Sequence, residues 1–80
     1  MPPPSAGEAG EILSIDLAAS VIVLRIGRRE RRARFTQLTR VRVGGMLGAV
    51  TDLRPGMRVT VRFAASETGR ESTILVSIDA

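Results

Sequence analysis

Between Arg32 and Val43 the chain alternates with a period of two, and that period constrains the fold more than any other feature. Ala33, Phe35, Gln37, Thr39, Val41 and Val43 fall on one side, and Arg32, Arg34, Thr36, Leu38, Arg40 and Arg42 on the other. Successive side chains of a β-strand point to opposite faces, so the aliphatic and aromatic members turn inward and the arginines outward. Leu38 among the arginines and Gln37 among the apolar residues predict a bulge or bend near the middle. Long, bent strands are what a small barrel needs to close. Arg58–Phe63 (RVTVRF) repeats the alternation, with Val59, Val61 and Phe63 inward and Arg58, Thr60 and Arg62 outward.

The remaining segments read as short strands and turns. Glu11–Leu17 mixes apolar and polar residues and runs into a small-residue turn, Ala18-Ala19-Ser20. Val21–Ile26 (VIVLRI) is a β-branched run of only six residues that stops at Gly27, too short for a buried helix. The two together predict a hairpin. Arg28–Arg32 (RRERR) is a polar turn or strand start. In Gly44–Gly56 the spacing of Met46, Leu47, Val50 and Leu53 predicts a short, irregular helical cap, which Gly48 weakens. Pro55-Gly56 is a tight turn. Ala64–Arg70 is a hairpin loop, and Ser72–Ile78 is the last strand.

The expected order is thus β-β-β-short helix-β-β, an all-β fold with the element list of a small five-stranded OB-like barrel. Its expected core runs through Ile12, Ile15, Ile22, Leu24, Ile26, Phe35, Val41, Val43, Leu47, Val50, Leu53, Val59, Val61, Phe63, Ile74, Val76 and Ile78. Leu13, Val21, Val23 and Leu75 are left partly exposed, because the strands that carry them are apolar on both faces.

Length and composition bound what such a fold can do. Eighty residues allow one domain. Residues 1–10, MPPPSAGEAG, hold three consecutive prolines and no large apolar residue after Met1, which reads as a flexible tail. Residues 11–80 are left for the barrel. With no cysteine and no histidine, neither a disulfide nor a zinc site of thiolates or imidazoles is available, so no metal and no cofactor are expected. No apolar run approaches the roughly 18–20 residues that span a bilayer. The opening residues have neither the basic nor the apolar part of a secretory signal, which favours the cytoplasm. An exported domain trimmed of its leader would start in the same way.

The charge pattern carries the functional expectations. All 12 basic residues are arginine, against 8 acidic residues, for a net charge of +4. Arginine recognises phosphate and carboxylate in a planar, bidentate fashion that lysine cannot match. Arg28, Arg29, Arg31, Arg32 and Arg34, continued by Arg40, Arg42, Arg58 and Arg62, would form a positive stripe if the third and fourth expected strands lie near each other. Such a stripe would hold nucleic acid or another polyanion. The competing account is a solvated outer face whose charges discourage edge pairing. The two aromatics, Phe35 and Phe63, both fall on inward faces, whereas single-strand binders stack bases on exposed aromatics. Apolar residues on both faces of the first and last strands favour a protein partner or self-association instead. The carboxylates lie mainly at strand ends and loops, and Gly44-Gly45-Met46-Leu47-Gly48 lacks the lysine of a phosphate loop, so no catalytic residue is expected.

Several strings resemble those of known barrels. Gly10-Glu11-Ile12-Leu13-Ser14-Ile15-Asp16, the VIVLRI run, the Thr39-Arg40-Val41 step and Asp52-Leu53-Arg54-Pro55-Gly56-Met57-Arg58-Val59-Thr60-Val61 together resemble a widespread bacterial family of small OB-like barrels of unknown function. That resemblance covers the chain from about Gly10 to its end. It implies the barrel fold, no catalytic residue, and domains often found in exported or envelope proteins. Arg28-Arg29-Glu30-Arg31-Arg32 resembles the first half of a PilZ-type cyclic dinucleotide site. The second half, Asp/Asn-x-Ser-x-x-Gly, is not met by Asp52-Leu53-Arg54-Pro55-Gly56, which lacks the serine. Periplasmic copper-binding barrels use Met, His and Trp; here His and Trp are absent and Met46 and Met57 stand alone.

Overall fold

The computed structural model of the chain describes residues 7–64 and 73–80. The expected tail of residues 1–10 is described only from Gly7, and most of the expected 64–70 hairpin loop lies outside the described residues. The fold is all-β. Its strands are β1 (Glu8–Asp16), β2 (Val21–Ile26), β3 (Arg29–Arg34), β4 (Arg40–Val43), β5 (Met46–Gly48), β6 (Arg58–Phe63) and β7 (Leu75–Asp79). They form one sheet in the order β3-β2-β1-β6-β7-β4-β5.

The expectation of five strands is therefore corrected to seven among the described residues. The third expected strand is two strands, because Phe35–Thr39 folds into a turn. There Thr36 N–H donates to Thr39 Oγ1 at 2.9 Å and Leu38 N–H to Thr36 Oγ1 at 3.1 Å. Thr39 Oγ1 in turn donates to the Leu75 carbonyl at 2.7 Å, which ties the turn to β7. Hydroxyl side chains that satisfy local backbone groups offer the chain an alternative to a continuous ladder. The inward side nonetheless keeps its period across the break: Ala33 and Val41 are buried, and Phe35 and Val43 pack against the core.

The expected cap over Gly44–Gly56 is corrected as well. Gly44 (φ 61°) and Gly45 (φ 81°) take the two positive-φ positions of a two-residue hairpin that pairs β4 with β5. Leu47 then lies opposite Arg42 and is 84% exposed rather than in the core. Only Val50–Asp52 is helical, as one 3-10 turn. Asp52 Oδ2 accepts from Ala49 N–H at 2.9 Å and holds that turn.

The N-terminal half is a meander. β1 begins at Glu8 and pairs antiparallel with both β2 and β6. A shift of register between Ile12 and Ser14 sets Leu13 in a bulge, so that Ile12 and Ile15, three apart, both turn inward. β2 and β3 join through Gly27 (φ 62°) and Arg28, with Gly27 at the first central position that a type II′ hairpin turn requires.

β7 carries a second bulge. Arg62 pairs with Ser77 but Phe63 pairs with Leu75, so Val76 is skipped. Leu75 and Ile78 are consequently buried, while Ile74 and Val76 are 44% and 47% exposed. This reverses the expectation for Ile74, Val76 and Leu75, because one extra residue moves every side chain beyond it to the other face. β7 pairs antiparallel with β6 on one side and parallel with β4 on the other. The core is Ile12, Ile22, Leu24, Ala33, Val41, Leu53, Val59, Val61, Leu75 and Ile78, with no buried polar or charged residue among those described.

Candidate anion-binding face

The register of the sheet sorts the arginines into groups that their order along the chain conceals. Arg28 and Arg29 sit at the β2–β3 turn and are exposed. Arg31 lies opposite the buried Leu24 and so belongs to the inward side. Its guanidinium carbon stands 3.9 Å from the centroid of the Phe63 ring, and its Nη1 lies 3.2 Å from Glu8 Oε2. With a side chain only 16% exposed, Arg31 closes one side of the core rather than joining an outer stripe.

Arg32 and Arg34 point outward on β3, opposite Val23 and Val21. Arg58 belongs to a different row. Glu30, Arg25, Glu11 and Arg58 are successive partners across β3, β2, β1 and β6, so their charges alternate in sign. Arg25, Arg58 and Glu11 also line a shallow cleft of about 360 Å³. Opposite charges on directly facing positions attract one another across a sheet, which leaves this row little net pull on an external anion.

The remaining three arginines converge. The third and fourth expected strands are not adjacent: β7 lies between β4 and β6. Ser77 is flanked by Arg40 on β4 and Arg62 on β6, and Asp79 by Arg42 on β4 and Thr60 on β6. With strands ~4.8 Å apart and a rise of ~3.3 Å per residue, the backbones of Arg40 and Arg62 stand ~10 Å apart and those of Arg40 and Arg42 ~7 Å apart. These three arginines, with Val76, Ser77 and Asp79, line a cleft of about 480 Å³. All three are exposed, and among the described residues none of them is in an ion pair. Three guanidinium groups against one carboxylate give the cleft a net charge of about +2.

Arg34 extends this group. It forms a parallel bridge with Ile74, and its N–H donates to the Thr73 carbonyl at 2.6 Å. Arg34, Arg40 and Arg42 therefore follow one another along the same side of the Thr73–Asp79 segment. No protein-family model, curated protein or solved structure matches this chain.

The parts of the face that sequence reasoning missed are Val76, Ser77 and Asp79. Nothing in their order announces that β7 inserts between β4 and β6, because that insertion depends on a parallel pairing of residues about forty positions apart. Among the described residues no group of three His, Cys, Asp or Glu side chains is placed to hold a metal ion, and no helix is long and apolar enough to cross a membrane.

Proposed function

We propose that this chain is a non-catalytic binding module that holds a polyanion, with single-stranded nucleic acid as the ligand class, on the outer face of β4, β7 and β6. The observation that carries the reading is the cleft of Arg40, Arg42 and Arg62 around Ser77. Three exposed arginines that share one carboxylate, Asp79, leave the cleft with a net positive charge that an anion would neutralise, since arginine does not lose its proton. Phosphate oxygens accept two parallel hydrogen bonds from a guanidinium, a geometry that suits this cluster.

The fold reading that accompanies this function is an OB-like barrel. The run β3-β2-β1-β6-β7 together with the parallel bridge from Arg34 to Ile74 supports it, since that bridge brings the two ends of the five-strand run beside each other. Barrels of this kind host oligonucleotide sites on the face of strands two and three and the nearby loops, whereas this cleft lies on β4, β7 and β6. Membership of the bacterial family of small OB-like barrels, to which the Gly10–Asp16 and Asp52–Val61 strings point, belongs to the same reading.

The test is fluorescence anisotropy of labelled single-stranded and duplex oligonucleotides, titrated at low and near-physiological salt. Micromolar or tighter binding that weakens steeply with salt is expected. The triple variant Arg40→Ser, Arg42→Ser, Arg62→Ser should lose most of it while keeping its β-sheet circular dichroism. Binding by that variant as tight as by the parent chain would remove the cleft from the account. A second reading, a protein-interaction surface, is favoured by the exposed Leu38 (88%), Met46 (74%) and Leu47 (84%). It predicts concentration-dependent association that the three arginine substitutions leave intact.

A further inference from the structure

Resting on the polyanion reading, we infer that the cleft recognises the sugar–phosphate backbone of a single strand and leaves the bases unread. The inference comes from what flanks the arginines. The chain holds two aromatic residues in all, Phe35 and Phe63, with no Trp, Tyr or His. Both are partly buried and pack against the core, and the Phe63 face is already covered by Arg31. The surface therefore offers no aromatic platform on which a base can stack. Stacking is worth about 1–3 kcal/mol per base in single-strand binders, so a protein without it has surrendered the main source of base affinity.

Apart from the arginines, the groups in the cleft that could meet a base edge are one hydroxyl and one carboxylate, Ser77 and Asp79. Val76 completes the lining, and Ser77 sits on the floor between two guanidinium groups. What remains is a set of forks at regular intervals. Arg40 and Arg42 repeat every second residue of β4, ~7 Å apart along the strand, a step comparable with the phosphate repeat of an extended single strand. Arg62 faces them across β7. Three arginines address three phosphates, and each phosphate neutralised on a single strand contributes about −0.7 to the slope of log affinity against log salt. The expected slope is thus about −2.

The experiment is competition against a labelled twelve-nucleotide oligothymidylate bound to the full chain. The competitors are unlabelled oligothymidylate, oligoadenylate, an abasic strand of the same length, and inorganic polyphosphate of matched charge. The inference expects the first three to compete within about threefold of one another, and the salt slope to be about −2. Each of Arg40→Ser, Arg42→Ser and Arg62→Ser should lower that slope by about 0.7. Arg54→Ser, which removes an exposed charge beside Leu53 and Pro55 well along the chain from this cleft, should leave it unchanged. An abasic strand more than tenfold weaker than oligothymidylate would overturn the inference while leaving the polyanion reading in place. Polyphosphate more than tenfold tighter than every strand would overturn it in favour of a different phosphate source. Failure of all four to bind at low salt would instead overturn the polyanion reading itself.

Discussion

Arg31 separates the two jobs that arginine does in this chain. Along the sequence it sits inside RRERR, among other arginines. In the fold it lies over Phe63 and against Glu8, with its aliphatic stem covered. A cation over an aromatic face contributes about 0.5–2 kcal/mol depending on how dry the site is. The Glu8 carboxylate is half exposed, so the ion pair adds little. Arg31→Ala should therefore cost about 1–2 kcal/mol by urea denaturation, mostly through packing, and Arg31→Met should recover part of it. Arg32→Ala, one residue on and facing water, should stay within about 0.5 kcal/mol of the parent. Equal losses at the two positions would mean that Arg31 is as peripheral as its neighbour. The order of RRERR alone does not say which arginine turns inward, but the period of two carried back from Ala33 and Phe35 puts Arg31 on their side, and its opposition to Leu24 across the β2–β3 ladder bears that out.

Most strands are legible as apolar runs, and which face turns inward is hardest to read where both faces are apolar and a bulge shifts the register. RVTVRF and VIVLRI occupy the expected positions as β6 and β2, and the alternation in each points the right residues inward. In the last strand STILVSI offers apolar side chains in either register, and only the bulge at Val76 chooses between them. Its consequence is measurable. Leu75→Ala should destabilise by about 2–4 kcal/mol, as truncations of fully buried leucines do. Val76→Thr, on the outer face, should change stability by less than about 0.5 kcal/mol. The reverse ranking would return Val76 to the core. Over GGMLG the apolar spacing suggested a helix, but two successive glycines at positive φ make a hairpin turn first. The candidate face suffered from the same limit: its arginines could be enumerated, but their convergence on Ser77 rests on two pairings of β7 that no local pattern encodes.

At the scale of the whole molecule, β7 is the element on which everything else converges. It is paired on both sides, with β6 and with β4, and Ala80 N–H donates to the Arg42 carbonyl at 2.8 Å just beyond it. It supplies Leu75 and Ile78 to the core and the floor of the arginine cleft. A chain ending at Ala64 would leave β4 and β6 with open ladder edges and the core open along one side. Such a chain should lack dispersed amide resonances, and adding a synthetic peptide of residues 73–80 should restore them in part. A folded truncated chain would mean that the β1–β2–β3 meander with β6 suffices. The position of β7 in the order of synthesis has a further consequence. The meander of β1, β2 and β3 is built from neighbours in sequence and can pair as soon as it leaves the ribosome, whereas β4 and β6 wait for a strand translated after both of them. Until β7 has emerged, the chain carries two unpaired ladder edges, and that is the interval in which chaperones would find most to hold.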